Sequence, residues 1–181
     1  MLISSTIKLR ALEPEDLELM YAWENNPDVW KVSNTLSPFS RFILKQYLEN
    51  AHQDIYEAKQ LRLMIDLRGD TNGLILETVG SVDLFDFDPF HMRAGVGILI
   101  NKLEYRNKGY AKEALRLLIE YCFEHLHIHQ LYCNILSENE SSIKLFKQAG
   151  FAQCGMKKQW IKTKNGWADE LMLQLINNNR L

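Results

Sequence analysis

Residues 97–111 carry the clearest structural signal in the sequence and read Gly97-Ile98-Leu99-Ile100-Asn101-Lys102-Leu103-Glu104-Tyr105-Arg106-Asn107-Lys108-Gly109-Tyr110-Ala111. An apolar run typical of a buried strand ends at Ile100, and a short polar loop follows it. A helix is predicted over residues 109–126, because apolar residues recur there on one helical face: Ala111, Leu115, Leu118, Cys122 and Leu126. The first N–H groups of a helix have no internal partners and lie at the positive end of its dipole, so the loop predicts an anion site. A strand-to-helix turn that merely needs glycine explains the loop equally well when it is taken alone.

A second segment farther along the chain reads Asn139-Glu140-Ser141-Ser142-Ile143-Lys144-Leu145-Phe146-Lys147-Gln148-Ala149-Gly150-Phe151. Asn139 suits a helix cap and Gly150 suits a C-terminal stop, so a helix is predicted over residues 140–149. Alone, this segment indicates only a well-bounded amphipathic helix. The informative observation is that the two segments occur together in this order.

The pattern outside these segments predicts a meander followed by alternating strands and helices. Strands are expected at 7–11, 61–65, 74–76, 80–87, 94–100 and 131–136 and around Trp160 and Leu171, helices at 17–23 and 38–51, and turns at 25–28 and 69–73. This order predicts an α/β (α+β) fold in which helices cover the faces of a mixed sheet.

Length and charge narrow the classes of function. The chain has 181 residues and a formal net charge of -2, which predicts a single domain over residues 1–181 and argues against nucleic acid or an anionic membrane as a partner. The three cysteines, Cys122, Cys133 and Cys154, have neither disulfide nor metal-ligand spacing. Neither a secretory signal nor a long apolar span is visible in the sequence, so a cytoplasmic location is expected. Association into a homodimer is left open.

The two segments resemble the acyl-CoA motifs of the GNAT acetyltransferase superfamily. Arg106-x-x-Gly109-x-Ala111 is similar to its pyrophosphate loop, and Asn139-x-x-x-Ile143-x-x-Phe146-x-x-x-Gly150-Phe151 is similar to its following motif. Residues 7–17 resemble the opening of the branch that holds spermidine N-acetyltransferases and ribosomal-protein N-terminal acetyltransferases. The resemblance implies the GNAT fold, a mixed and mostly antiparallel sheet of about seven strands with splayed central parallel strands and about four flanking helices.

The resemblance also implies acetyl-CoA as cosubstrate, no metal, and a set of residues that bind the cosubstrate. The strand before the loop is expected to hold the pantetheine arm, and the loop N–H groups are expected to wrap the pyrophosphate. Asn139 is expected to contact the pantetheine, and residues near Phe146 and Lys147 are expected beside the acyl group or the nucleotide end. The residues concerned are Ile98, Leu99, Ile100, Arg106, Asn107, Lys108, Gly109, Tyr110, Ala111, Lys112, Asn139, Phe146 and Lys147. The main-chain N–H of Leu99 is the candidate donor to the oxyanion.

One catalytic position departs from the family pattern. Many relatives carry a tyrosine, proposed as the acid for the leaving thiolate, where this chain has Phe146. Either the thiolate leaves unaided or with water, or a hydroxyl of Ser137, Ser141 or Tyr110 replaces the tyrosine.

Candidates for the general base lie on the strand at 80–87 and just after it. Strand alternation directs Asp86 and Asp88 to one face and Asp83 to the other unless a bulge intervenes, and Asp86 is the first candidate. A solvated strand face explains these acids as well. His91 is a second candidate, although a lone loop histidine is more often a surface residue. The series His125, His127 and His129 is interpreted as a polar turn and not as a metal site.

These observations predict an N-acetyltransferase that moves the acetyl group of acetyl-CoA by direct attack of a primary amine. The acceptor is either a small molecule such as a polyamine or a protein N-terminus. Paired acidic residues that the spermidine branch often shows are missing at residues 32–35 and near 94–96, which counts against a polyamine. Two alternatives stay open, an acyl-CoA-binding sensor with weak or no turnover, motivated by Phe146, and an aminoglycoside N-acetyltransferase.

Overall fold

The computed structural model describes residues 2–33, 35–69 and 74–178, and within these ranges the chain folds around one seven-stranded sheet. The strands are β1 (Ile7–Arg10), β2 (Leu61–Arg68), β3 (Ile75–Asp88), β4 (Arg93–Ile100), β5 (Gln130–Leu136), β6 (Ala152–Thr163) and β7 (Gly166–Ile176). The helices are α1 (Leu17–Glu24), α2 (Pro27–Ser33), α3 (Arg41–Glu49), α4 (Ile55–Ala58), α5 (Tyr110–Glu120) and α6 (Glu140–Gln148). Most of the turn predicted at 69–73 lies outside the described residues.

The sheet has the order β1-β2-β3-β4-β5-β7-β6, and its neighbouring strands are antiparallel except for β4 and β5. The parallel pairing extends only from Arg93↔Gln130 to Gly95↔Tyr132, so the two strands separate beyond this point. The predicted mixed and mostly antiparallel sheet with splayed central strands is therefore confirmed. The separation opens a cleft whose two walls are the C-terminal halves of β4 and β5.

The register of β4 determines which main-chain groups face this cleft. The N–H of Asn101 donates to the carbonyl of Val79 at 3.0 Å, and Leu99 lies opposite Ser81 in the antiparallel ladder. Because hydrogen-bonding direction alternates along a strand, the N–H of Leu99 points to β3. The N–H groups of Ile98 and Ile100 point the other way, into the cleft.

Helix α5 packs its apolar face against the sheet and begins where the sequence predicts. Its buried residues are Ala114, Leu115, Leu117 and Leu118. The α-helix ends at Glu120, and the last predicted turn is a π-helical segment, Tyr121–His125, in which the N–H of Leu126 donates to the carbonyl of Tyr121. The helix predicted over 109–126 is thus present, with a wider turn at its end.

The N-terminal part differs from the prediction at two places. The predicted break after α1 is present, since α1 ends at Glu24, but Pro27 starts an additional helix, α2, because proline at a first helical position loses no hydrogen bond. The helix expected from residue 38 begins at Arg41, because the Ser40 hydroxyl accepts from the N–H of Ile43 at 3.2 Å and caps it. Helices of eight or more residues number four among the described elements, in line with the expected count.

A buried ion-pair network centred on Arg10 holds β1, β2 and the turn before α1 together. The Arg10 guanidinium donates to Asp16 at 2.7 and 2.8 Å and to Asp66 at 2.8 Å, and both carboxylates are buried. Burial acts to raise the pKa of Asp16, but hydrogen bonds from Arg10 and from the N–H of Glu13 outweigh it and lower that pKa. The network therefore depends on the carboxylate being ionised.

The helices within the described ranges are all too short or too polar to cross a lipid bilayer.

Candidate active site

Two cavities lie on either side of the cleft between β4 and β5. The first, which we call the loop cavity, has a volume of about 980 Å³ and lies between the end of β4, the loop at 101–109, the start of α5 and one side of α6. The second, which we call the sheet cavity, has a volume of about 520 Å³ and lies over β2, β3, β4 and β5 beneath α1, α2 and α3. They meet at five shared lining residues, namely Ile98, Leu99, Leu136, Asn139 and Ser142.

The loop cavity has the geometry of an anion cradle. Gly109 caps α5 with φ 89°, and Asn107 also has a positive φ of 60°, so the chain turns sharply into the helix. A Cβ built on Gly109 would meet no atom within 4 Å, which leaves open space over the first helical turn. The N–H groups of that turn have no partners inside the helix and lie at the positive end of the dipole.

Charge in the loop cavity matches an anionic ligand. The charged side chains among its described lining residues are Arg106, Lys112, Lys144 and Glu138, which sum to a formal charge of +2. The Arg106 guanidinium also donates through Nε to the carbonyl of Ile100 at 3.0 Å, which fixes the loop to the end of β4. A pyrophosphate fits this combination of cations and free helix N–H groups.

The structure brings most of the predicted cosubstrate residues to this cavity. Ten of them line it: Ile98, Leu99, Ile100, Arg106, Asn107, Gly109, Tyr110, Ala111, Lys112 and Asn139. Lys108 is not among the lining residues, and its ammonium lies 5.4 Å from the centre of the Tyr105 ring. Lys147 is exposed on α6 and lines neither cavity, whereas Phe146 lines the sheet cavity.

Asn139 lies where the cavities meet and is held in place by its own helix. Its Oδ1 accepts from the N–H of Ser142 at 3.2 Å and from the hydroxyl of Ser141 at 3.0 Å, so it caps α6. The predicted cap is therefore present. Both hydrogen bonds use Oδ1, so they fix the orientation of the Asn139 side chain where the two cavities meet.

The expected oxyanion donor needs a correction. Leu99 lies at the meeting point of the cavities, as predicted, but the strand register directs its N–H to β3 opposite Ser81. The main-chain N–H that faces the cleft at this point belongs to Ile98, which also lines both cavities. A resemblance of residues alone does not reveal this one-residue offset.

The sheet cavity has the opposite charge. Glu24, Arg62, Asp83 and Glu170 are the charged side chains among its described lining residues, for a formal charge of -2. Lys157, which lies outside the lining, bonds to Glu170 at 2.7 Å and reduces the local formal charge to -1, a sign that still favours a cationic ligand. Of the three acids that the sequence singled out on β3 and just after it, Asp83 is the one that lines the cavity.

Arg62 joins two of these acids. Its Nε donates to Asp83 at 2.6 Å, its terminal nitrogen lies 2.5 Å from a Glu24 oxygen, and its guanidinium carbon lies 5.8 Å from the centre of the Tyr47 ring. Burial acts to lower the pKa of Arg62, but the two carboxylates outweigh it and raise that pKa above its usual value. Burial also raises the pKa of Tyr47, so its hydroxyl stays protonated at neutral pH. The group ties α1 and α3 to the sheet over the cavity.

The two predicted base candidates lie outside both cavities. A β-bulge separates Phe85 from Asp88, and Asp86 sits on it with a positive φ of 48°, exposed, with its carboxylate accepting from the Tyr132 hydroxyl at 3.3 Å. The bulge interrupts the alternation on which the predicted faces of these acids depended. His91 is exposed, and its N–H donates to Asp88 at 2.9 Å. The base role of Asp86 and of His91 thus stays a prediction that the geometry does not favour.

Two further side chains define the wall of the sheet cavity. Phe146 is buried and meets Phe151 edge to face, with ring centres 5.1 Å apart. Cys133 lines the cavity, but burial raises its pKa to about 12, so it remains a thiol and a poor nucleophile at neutral pH. A protonated Cys133 is consistent with direct transfer of the acetyl group from acetyl-CoA to the acceptor amine.

The described residues hold no cluster of three or more His, Cys, Asp and Glu side chains placed to bind a metal ion.

With this geometry in place, the comparisons with known proteins identify the class of protein. The sequence profile of the acetyltransferase (GNAT) domain matches residues 6–152. The chain therefore belongs to the GNAT acetyltransferase family, and it is an acetyl-CoA-dependent enzyme that acetylates an amine. The predicted family, fold and reaction class are confirmed.

Among individual proteins, the chain is similar to bacterial spermidine acetyltransferases. It is 31% identical to the spermidine N(1)-acetyltransferase of Escherichia coli K12 over 147 residues, which are 81% of this chain and 73% of that protein. It is 26% identical to the uncharacterized N-acetyltransferase p20 of Bacillus licheniformis, covering 97% of this chain and 95% of that protein. The crystal structure of the Vibrio cholerae spermidine N-acetyltransferase in complex with CoA and spermine superimposes with a TM-score of 0.80 at 24% identity, covering 96% of each chain. Another structure of that enzyme is described as dodecameric.

Two acids of the sheet cavity, Glu24 and Glu170, were not foreseen from the sequence. Glu24 is the last residue of α1, and Glu170 belongs to β7, at the other end of the chain. In the sequence, both are simply charged residues in elements that bury one side, and this pattern does not distinguish them from surface residues. The fold is needed to bring them to one cavity.

Proposed function

We propose that the acceptor is a small alkyl amine with cationic groups separated by an apolar chain, the polyamine class, and that it binds in the sheet cavity. The observation that carries the proposal is the distribution of charge in this cavity. Asp83 lies on β3 and Glu170 lies on β7, three strands away in the sheet order. At ~4.8 Å per strand, the backbone positions are about 14 Å apart, and the splay adds to this distance.

Apolar side chains share the face of the sheet that carries these acids and so match the methylene chain of such an acceptor. Phe85, Leu99 and Leu136 are on this face and line the cavity. An extended amine placed there keeps its cations near carboxylates and buries its carbon chain. The similarity to spermidine acetyltransferases supports the same class of acceptor.

Acids from other elements compensate for those missing at residues 32–35 and 94–96. The first segment is described only in part, and Ala94, Gly95 and Val96 are buried. Glu24, Asp83 and Glu170 supply the negative charge of the cavity instead. The absence that counted against a polyamine in the sequence therefore counts less in the fold.

The geometry also supports a route for the chemistry. The acetyl thioester is expected where the cavities meet, with its carbonyl oxygen accepting from the N–H of Ile98. Such a preorganised donor stabilises the charge that develops on the oxygen as the amine attacks. Self-association and a cytoplasmic location stay predictions.

The acceptor class is tested by measuring thiol release from acetyl-CoA with a panel of amines. The panel holds spermidine, spermine, an α,ω-diamine, an aminoglycoside, and peptides with a free N-terminus. We expect the polyamines to give the highest kcat/KM, at least tenfold above the peptides, because they combine cations at both ends with a flexible apolar chain, which a peptide N-terminus does not. A peptide or an aminoglycoside as the best acceptor contradicts the proposal, and binding of acetyl-CoA without thiol release for every amine favours the sensor alternative.

Catalysis without a tyrosine at position 146 gives a second prediction. Phe146→Tyr adds one hydroxyl to a buried ring that already lines the sheet cavity. We expect kcat to change less than about tenfold, because a thiolate with a pKa near ~8.5 leaves readily without an acid. The measurement is kcat for the best amine of the panel, with acetyl-CoA affinity as the control. A rise of about 100-fold or more, the scale of a positioned acid, shows instead that the acid is missing.

A further inference from the structure

Glu170 is a buried carboxylate in the sheet cavity that the proposed function uses only for its charge. Its residue surface is only 7% exposed. One carboxylate oxygen, Oε2, accepts from the Lys157 ammonium at 2.7 Å, and Lys157 also donates to Asn134 at 3.3 Å. The ammonium lies 5.1 Å from the centre of the Trp160 ring. Oε2 is thus fixed by a cation from β6, and Glu170 is one of the residues that line the cavity.

The register of the sheet places Glu170 across from the end of β5, on the far side of the cleft from Ile98. Glu170 lies opposite Lys157 in the β6–β7 ladder and opposite Leu136 in the β5–β7 ladder. Leu136 is one of the five residues that line both cavities. The main chain of Glu170 is therefore one strand spacing, about 4.8 Å, from that of Leu136, and two strand positions plus the splay from that of Ile98 on β4.

The other acids of the cavity lie elsewhere and are engaged. Asp83 and Glu24 both bond to Arg62, on the side of the cavity formed by α1, β2 and β3. The five residues at the meeting point carry no formal charge. Among the described residues that line the sheet cavity, Glu170 is the charged group on its β5–β7 side.

We propose that Glu170 accepts the proton of the attacking amine and that Lys157 is its positioning residue. The inference rests on the proposed function, because it requires the acceptor amine to bind in the sheet cavity. As the amine nitrogen bonds to the carbonyl carbon, one C=O electron pair moves to the oxygen near the Ile98 N–H. The nitrogen then loses a proton to Glu170. The C=O bond re-forms as the C–S bond breaks, and the electron pair of the C–S bond leaves with the CoA sulfur as a thiolate. Glu170 returns its proton to that thiolate or to water.

The test compares Glu170→Gln with a matched variant on the same strand. We expect Glu170→Gln to lower kcat by at least 100-fold, the scale of general base catalysis, with unchanged acetyl-CoA affinity. The control is Asp169→Asn, whose carboxylate also bonds to a lysine, Lys158, at 2.7 Å but does not line either cavity. This control is expected to keep kcat within about twofold.

Lys157 is tested by a conservative pair of variants. Lys157→Met is expected to lower kcat about tenfold at unchanged acetyl-CoA affinity, and Lys157→Arg is expected to restore most of it. A purely structural ion pair predicts instead that both variants change only the melting temperature. If Glu170→Gln does not fold because a lone ammonium is left behind, Glu170→Gln with Lys157→Met removes both charges and is expected to be as slow as predicted for the single variant.

Three results overturn the proposal. The first is a Glu170→Gln enzyme with kcat within threefold of the wild type. The second is a raised KM for the amine with kcat unchanged, which shows that Glu170 only binds the acceptor. The third is a double variant that recovers the wild-type kcat. The amine used is spermidine, or whichever amine of the panel the wild-type chain acetylates fastest, so failure of the polyamine assignment changes the amine and leaves this comparison intact.

Discussion

Replacing Ala111 by aspartate is expected to weaken acetyl-CoA binding by about 100-fold while the fold remains intact. Ala111 lies in the first turn of α5 and lines the loop cavity. A carboxylate ~5 Å from a phosphate in surroundings of effective dielectric ~20 costs about 3 kcal/mol, or roughly two orders of magnitude in Kd. An aspartate in the first turn is otherwise favourable to a helix, so the loss is confined to the ligand. Gly109 is the poorer choice, because any side chain there is strained at φ 89°.

Calorimetric titration with acetyl-CoA measures this loss, and circular dichroism checks the fold. The matched control is Ala152→Asp, the same substitution at an exposed position of β6 outside both cavities. It is expected to bind acetyl-CoA as the wild type does. An Ala111→Asp protein with affinity within threefold of the wild type would falsify the placement of the pyrophosphate at this helix.

The second large effect is on stability, where Arg10→Met is expected to lower the free energy of unfolding by about 3–5 kcal/mol. The variant leaves Asp16 and Asp66 buried without their shared cation. Uncompensated buried carboxylates are among the costliest defects that a single substitution creates, because water cannot replace the missing partner. Thr78 continues to donate to Asp66, but nothing of equal charge replaces the guanidinium.

Denaturant unfolding of Arg10→Met is compared with that of Arg41→Met, the same substitution at a surface pair. Arg41 bonds to Glu18 with both side chains exposed, so its loss is expected to be small. The folded-state pKa of Asp16 lies below its ordinary value of 3.8. Its ion pair therefore stabilises the fold above that value and is lost as the pH falls through the folded pKa. The gap between wild type and Arg10→Met should thus be full near neutral pH and shrink in acid, and equal losses in the two variants would contradict this account.

The sequence predicts the structure best where the signal is local. The strand ending at Ile100, the glycine turn at Gly109 and the helix after it are set by residues that are neighbours in the chain, and so is the cap at Asn139. Helix termini and turn conformations depend on backbone preferences of single residues. For that reason ten of the thirteen residues predicted to bind the cosubstrate line the loop cavity.

The sheet cavity depended on information that no local pattern contains. Whether the N–H of Ile98 or of Leu99 faces the cleft is decided by the ladder with β3, and a one-residue offset reverses every main-chain direction. The bulge at Asp86 moved the favoured base candidate to an exposed position. Glu24 and Glu170 approach the cavity from opposite ends of the chain, and their roles follow only from the tertiary fold.

The small overlap between the two cavities has a consequence for how such an enzyme changes over time. Only five of the described residues line both, and at least one of them, Ile98, is expected to act there through its main chain. Side chains around the acceptor are then free to mutate without disturbing the site of the donor. New amine preferences are accessible by a few substitutions on α1 and β3, while the residues that hold acetyl-CoA stay unchanged.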